Sequence, residues 1–421
     1  MTLHEAHWTP GVVQSAVNTI GAPESEIREW LAEGADRLRR NLGLDTNPVE
    51  LRQDGSVRVD RIAGILKFGD RLELEVAPKH VDPADVHWRN DFFVLALFTQ
   101  TGQILPLETI ESEASARGDL ATLVGRTFAR LYWDNHRRPM RTYRSRRVQR
   151  FSHDGDVDSV TLVLPEEGGF AQQVLELDRD NELNAVIASA AQILMMEVGD
   201  SETRRQLMRV VHSISPQAHV ATANRRALPA RNRQWQILYD LSVQVLEGLG
   251  LSYNAGIYSS PGYVLQTWPA WQQLCEAALR AAGLEDLVVD GSPRLMLGTR
   301  ASGKLMVTPD VLLRVSGLPR VVVDAKYRTR DSRSAAMSNS DIYEVLAFMR
   351  ASETREAVLL YPRPASAGPA ELVGTVHEFE RVTVDDMSIA GLTVEARGIS
   401  GSNGFRRFAA NLGTGVKAAL R

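Results

Sequence analysis

Residues 308–330 read TPDVLLRVSGLPRVVVDAKYRTR, and this stretch constrains the chain more than any other. Two apolar runs, 311–315 and 320–323, flank a turn carrying Gly317 and Pro319. Apolar, β-branched runs on either side of such a turn predict a hairpin. Antiparallel pairing would bring its far ends together, so that Asp310 would lie beside Asp324 and Lys326. Two carboxylates that close repel, and one takes up a proton unless a cation sits between them. Asp oxygens suit a hard divalent ion such as Mg2+. A lysine beside that ion could orient a water or stabilise developing negative charge.

The pattern resembles the core of the PD-(D/E)XK nucleases, with Pro309-Asp310 as its first half and Asp324-Ala325-Lys326 as its second. The competing reading is a surface hairpin with solvated charges. Three features favour the nuclease-like one. The residues fall at strand ends, the spacing fits a hairpin, and an acidic residue, Glu276, lies on a helix upstream.

The surrounding pattern is α/β (α+β). From residue 271 onward the order is helix (271–282), short strands (287–289, 295–297, 305–307), the hairpin, a helix (339–352) and a buried strand (357–361). Residues 376–379 and 382–384 suggest a late hairpin. This order predicts a central mixed sheet flanked by helices. Upstream, 24–42 has the apolar spacing of an amphipathic helix. The segments 55–59, 63–68 and 72–76 read as a β-meander or small barrel closing on Pro78-Lys79-His80. Helical patterns follow at 91–99, 120–133, 178–196, 202–214 and 232–249. A strand is expected at 157–164 and a loop at 256–266. We therefore expect an N-terminal β-rich, basic, partner-docking region (1–150), a helical region (151–255) and a nuclease-like domain (256–421).

Gly298 to Lys304 matches G-x-x-x-x-G-K, but Leu305 stands where a phosphate loop needs Ser or Thr, and a strand follows instead of a helix. It reads as a hairpin turn. With no other nucleotide motif in view, any nucleotide-driven motor must be a partner.

Composition narrows the setting. At 421 residues two or three domains are expected. The one cysteine, Cys275, excludes an internal disulfide and a cysteine zinc site, and its apolar helical context makes it a small buried residue. No apolar run approaches the ~20 residues of a membrane span. The first residues lack a signal-peptide pattern. A cytoplasmic protein is expected. Net charge is −4, yet residues 126–150 hold nine arginines and one acid, Asp134. Such a segment suits phosphate contact or partner docking; its bland reading is a solvated surface. Tyr132, Trp133 and Tyr143 are interleaved there and could stack on bases, although aromatics so spaced usually pack.

Taken in order, several pieces resemble the McrC family, the endonuclease subunit of McrBC-type modification-dependent (type IV) restriction systems. They are ILKFGDRLELEVAPK at 65–79, the arginine-rich piece with Tyr143, Asn181-Glu-Leu-Asn184, Leu274-Cys275-Glu276, Pro309-Asp310, Asp324-Ala325-Lys326-Tyr327 and Asp341-Ile-Tyr343. The likeness spans about residues 55 to 361. It implies a C-terminal nuclease domain and an N-terminal region docking on a hexameric AAA+ GTPase, McrB-like, that recognises modified double-stranded DNA and translocates. Asp310, Asp324 and the carbonyl of Ala325 would hold Mg2+. Lys326 would position the attacking water or the scissile phosphate, and Glu276 would complete the site. An exposed helix glutamate is the plain alternative for Glu276, and packing is that for Tyr343, a candidate beside the site. The rival function is a non-cleaving adaptor that activates an AAA+ partner and uses the nuclease fold only to bind DNA.

Overall fold

The computed structural model describes all residues except 70, 84, 86–87, 102–119, 165–166, 215–218, 225, 247–263, 285–286, 329–335 and 421. The chain forms two compact units. One comprises Met1–Leu120, Gly250–Ser252 and Gly256–Arg421; the other comprises Ala121–Leu249 and Tyr253–Ala255.

The first unit begins with a β-rich lobe. Its four-stranded sheet runs Thr2–His4, Leu72–Ala77, Ile62–Phe68, Val264–Gln266, and a small sheet joins Trp8–Thr9, Val57–Val59 and Val49–Leu51. Val264–Gln266 pairs antiparallel with Ile62–Gly64, so part of the expected 256–266 loop is a strand; residues 256–263 lie outside the described ones. The helix Glu24–Asn41 carries Ile27, Leu31, Ala35 and Leu38 at helical spacing, and all four enter the lobe's core with Phe68 and Leu74. Gly34 sits on that helix where it meets Phe68. A Cβ there would come within 2.2 Å of the Phe68 ring, so only glycine allows the approach.

The same unit holds a six-stranded mixed sheet, ordered Leu287–Gly291, Val311–Val315, Leu318–Ala325, Glu356–Pro362, Met387–Val394, Val376–Val384. The three middle strands, Leu318–Ala325, Glu356–Pro362 and Met387–Val394, run parallel, and antiparallel pairs flank them. Val321, Val322 and Val323 are all buried, as are Ala357 through Leu360. A strand buried on both sides reads as a continuous apolar run, which is why these segments do not alternate. The helix Asn339–Ser352 covers one face, where Val345, Phe348 and Met349 cluster with Leu312, Val322 and Leu359. Ser338 caps it by accepting from the Asp341 N–H. The helices Thr267–Ala281 and Gly404–Ala419 pack together, with the rings of Trp271 and Phe408 6.4 Å apart.

The expected late hairpin is differently built. Residues 376–384 are one strand with a bulge between Glu378 and Glu380, and its hairpin partner is Met387–Val394. The Gly298–Lys304 segment is the hairpin turn expected, between Leu295–Arg300 and Gly303–Val307.

The second unit is helical around Leu120–Asn135, Glu182–Glu197, Ser201–Ile214 and Gln236–Leu246, with one three-stranded sheet. Asn181 caps its helix by accepting from the Asn184 N–H. The strand expected at 157–164 is instead a short strand, Asp156–Val157, and a helix, Ser159–Val163. Asp158 starts that helix by accepting from the Val160 N–H, a local bond that outcompetes the strand pattern of the apolar residues after it. Among the described residues no helix is long and apolar enough to cross a membrane.

Candidate active site

The hairpin forms and its far ends meet, although its turn is Ser316-Gly317, Pro319 lies inside the second strand, and a bulge separates Leu313 from Arg314. Val311 pairs with Val323, and the backbone N–H of Ala325 donates to Oδ2 of Asp310 at 2.7 Å. Asp310 is further fixed by its own carbonyl, which accepts from the Ser292 N–H at 2.7 Å. Asp324 is buried at the end of the neighbouring strand. Burial, and next the charge of Asp324, push the Asp310 carboxyl up to about 7. Burial also raises Asp324, partly offset by Lys326. Burial alone would lower the Lys326 ammonium, but Asp324 and then Glu344 outweigh it and hold the lysine charged.

Lys326 Nζ lies 2.7 Å from Asp324 Oδ2 and 2.5 Å from Glu344 Oε2. Oδ2 of Asp324 has no hydrogen bond of good geometry, although it is buried. The Lys326 ammonium nevertheless approaches that oxygen to 2.7 Å. A buried Asp324 and a half-buried Asp310, whose proton affinity the charge of Asp324 raises, form a donor set that suits a hard cation. Among the described residues no group of three or more His, Cys, Asp or Glu could hold a metal by side chains alone. A cation here would need backbone, water or substrate oxygens besides Asp310 and Asp324, as Mg2+ commonly does.

Glu276 is not drawn into this pair. Its carboxylate is held by Arg280 at 2.7 Å, one turn along the helix. It presses on the strand next to that of Asp310: a Cβ on Gly291 would lie 1.9 Å from Glu276 Oε1. Cys275 is buried, as its apolar spacing suggests. Tyr343 is 67% exposed and does not pack; its neighbour Glu344 is the residue of that helix that reaches the site.

A buried polar cluster behind the lysine has no local sequence signal. Glu5, fully buried, accepts from Thr267 Oγ1 at 2.7 Å, from the Tyr327 hydroxyl at 2.8 Å and from the Lys79 N–H at 3.1 Å. Lys79 Nζ donates to the Tyr327 carbonyl at 2.8 Å and lies 4.0 Å from the Tyr327 ring centre. His80 completes the cluster at 3.3 Å from the same hydroxyl. Burial of an ion is costly unless paired and hydrogen-bonded; burial raises the Glu5 carboxyl and lowers the Lys79 ammonium, each partly offset by the charge of the other. The β-rich lobe thus grips the residue that follows Lys326. Only Pro78-Lys79-His80, at the close of the lobe's strands, hinted at this.

The arginine-rich segment belongs to the second unit. Its strand, Thr142–Arg150, pairs along its full length with Phe170–Asp178. Arg144 meets Asp180 at 2.7 Å, Arg150 meets Glu176 at 2.7 Å, and Arg146 pairs with Asp178. These arginines are largely neutralised by the facing strand and the loop after it. The same sheet exposes apolar side chains. Tyr143 stands opposite Leu177, Leu175 lies two residues along on the same face, and Leu175 is 69% exposed.

None of the curated proteins matches the chain. A chain of the refined half-complex of the tetradecameric assembly of Thermococcus gammatolerans McrB AAA+ hexamers with bound McrC is similar in fold. Its TM-score is 0.70 at 14% identity, with 98% of this chain and 99% of that one covered. A chain of the cryo-EM structure of the Thermococcus gammatolerans McrBC complex gives a TM-score of 0.51 at 14% identity, covering 66% of this chain and 87% of that one. The family model described as "McrBC 5-methylcytosine restriction system component" matches residues 57–362, well over half of the chain, and the chain belongs to that family.

Proposed function

We propose that this chain is the Mg2+-dependent DNA endonuclease subunit of a McrBC-like restriction complex, with a PD-(D/E)XK centre. The observation that carries the reading is the juxtaposition of Asp310, Asp324 and Lys326, fixed by the Ala325 N–H bond to Asp310. Asp310 and Asp324, helped by the Ala325 carbonyl, would hold the ion, which supplies positive charge against the phosphodiester and its attacking water. Lys326 would orient that water or the scissile phosphate, which requires it to exchange its Glu344 contact for one to substrate. The reach of Glu276 is limited by Arg280, so its part is to support the strand next to Asp310.

The partner reading rests on family membership and on the second unit. The neighbouring assemblies are described as McrB AAA+ hexamers with bound McrC and as an McrBC complex. By analogy this chain would bind a hexameric AAA+ GTPase, stimulate its hydrolysis and cut modified double-stranded DNA that the partner recognises. Its place of action would then be the cytoplasm. The exposed face of Tyr143, Leu175 and Leu177 suits a protein partner better than phosphate, because its neighbouring arginines are already paired.

The test is Mg2+-dependent cleavage of methylated plasmid with and without the AAA+ protein and nucleotide, with Lys326→Ala as control. A second reading, a non-cleaving adaptor, is favoured by one observation: Lys326 and Glu276 are each engaged by neighbouring side chains. It predicts stimulated partner hydrolysis with no cleavage in any combination.

A further inference from the structure

A cleft of about 840 Å³ opens beside Lys326 and Glu344, and its far wall is built by the β-rich lobe. Both walls lie within one compact unit. We propose that this cleft is a track for the phosphodiester backbone of the DNA, in which Arg61 holds a phosphate and Trp268 supplies a stacking face beside the scissile position. The proposal rests on the nuclease reading above, and names the substrate contacts that the catalytic residues leave unassigned.

The cleft's cations are not equivalent. Arg58 pairs with Asp60 at 3.0 Å and lies 3.7 Å from Glu50. Lys79 is turned onto the Tyr327 carbonyl, and Lys326 is engaged by Asp324 and Glu344. Arg328 pairs with Asp341 at 3.0 Å. Among the described residues Arg61 alone of the cleft's cations has neither an ion pair nor a side-chain hydrogen bond, and it is exposed.

Arg61 is also held in a costly conformation. Its φ is +67°, a left-handed geometry that L side chains rarely adopt and that tends to persist where the surroundings over-determine it. Two bonds do so. Its N–H donates to Asp60 Oδ1 at 2.9 Å, and its carbonyl accepts from the Thr267 N–H at 3.2 Å. The second bond places Arg61 next to the residue preceding Trp268. Trp268 begins its helix 52% exposed, a large apolar ring left open at the cleft. A guanidinium fork without a carboxylate partner suits phosphate, and an open indole suits a base or sugar face. Glu5 ties the two walls together through Thr267 and Tyr327, so the track is preformed. Asp45 and Asp60 also line the cleft, and the charge of Asp60 is offset by Arg58 at 3.0 Å.

The test uses the full-length chain with its AAA+ partner. DNA binding is read by fluorescence anisotropy over a salt series in the uncut Lys326→Ala background, and cleavage is read in the otherwise native chain. Arg61→Ala is expected to weaken binding several-fold and to lower the salt-dependence slope by about one, the signature of one phosphate contact. Trp268→Ala is expected to weaken binding about fivefold or more with the slope unchanged, and Trp268→Phe to restore most of it. Cleavage KM should rise in the same order. Arg61→Glu and Trp268→Ala that bind and cut as the parent does would overturn the track while leaving the nuclease reading intact. Position-61 and position-268 effects on binding, with Lys326→Ala still cutting, would keep the track and remove the nuclease assignment. Failure of the complex to bind DNA at all would remove both.

Discussion

The backbone N–H of Ala325 donates to Oδ2 of Asp310 at 2.7 Å across fifteen residues of chain. That single bond closes the open end of the hairpin and sets the two carboxylates side by side. Asn at position 310 could still accept it through its amide oxygen, but would carry no charge. Asp310→Asn should therefore fold, with a melting temperature equal to or above that of the parent at pH 8, because repulsion from Asp324 is removed. Cleavage should fall by about 100-fold or more, the scale of losing one preorganised electrostatic contact. Calorimetry alongside a plasmid assay reads both. A destabilised Asp310→Asn that cuts normally would contradict the account.

Metal binding should depend on pH in a defined sense. Burial, then the charge of Asp324, push Asp310 up to about 7. Its folded value lies above its unfolded one, so without a cation its contribution to stability is fully present below pH 4 and is lost as pH rises through 7. Mg2+ competes with that proton. The rise in melting temperature on adding Mg2+ should accordingly be larger at pH 8 than at pH 6, and absent in Asp310→Asn. An equal rise at both pH values would argue against a cation at this pair.

His80 works in the opposite direction. Burial drives its ring down to about 3, so it is neutral in the fold. The unfolded chain takes up a proton below about 6.5 and the folded one does not, so stability is lost as pH falls from 6.5 toward 3. Between pH 6.5 and 5 this one group contributes about 1.6 kcal/mol of destabilisation. Denaturant titrations of His80→Gln should show a shallower decline over that window. A parallel decline would mean that the ring is not buried as described.

The exposed strand face of the second unit makes a separate prediction. Leu175→Asp or Leu177→Asp should leave the melting temperature within about a degree, because both side chains are exposed and such surface changes are within about 0.5 kcal/mol. Affinity for the AAA+ protein should drop at least tenfold, as an apolar interface anchor would when charged. Isothermal titration against the partner decides it, and unchanged affinity would move the docking surface elsewhere.

The hairpin and its site pair were legible in the sequence because their information is local. Two apolar runs, a turn at Gly317 and three charged residues at the ends announce the hairpin. Glu5, Lys79 and Tyr327 were not legible as a unit, since Tyr327 lies 322 residues from Glu5 and no periodicity joins them. The 157–164 segment misled for a different reason. Its valines and leucines look like a strand, but most are exposed, and Asp158 diverts the backbone into a helix. At 376–384 the polar Glu380 and Arg381 separate two apolar stretches, yet both pair regularly with Met387–Val394 after a bulge between Glu378 and Glu380. Tyr343 drew notice through the Asp341-Ile-Tyr343 resemblance, while the side chain one residue on, Glu344, meets Lys326.

Cleavage of methylated and unmethylated plasmid by this chain with an AAA+ partner, nucleotide and Mg2+, compared between the parent and Lys326→Ala, decides whether Asp310, Asp324 and Lys326 form a nuclease centre. Cutting of the methylated plasmid is expected to need partner and metal together and to disappear in Lys326→Ala. Undiminished cutting by Lys326→Ala, or stimulated partner hydrolysis with no cutting under any condition, would contradict that assignment.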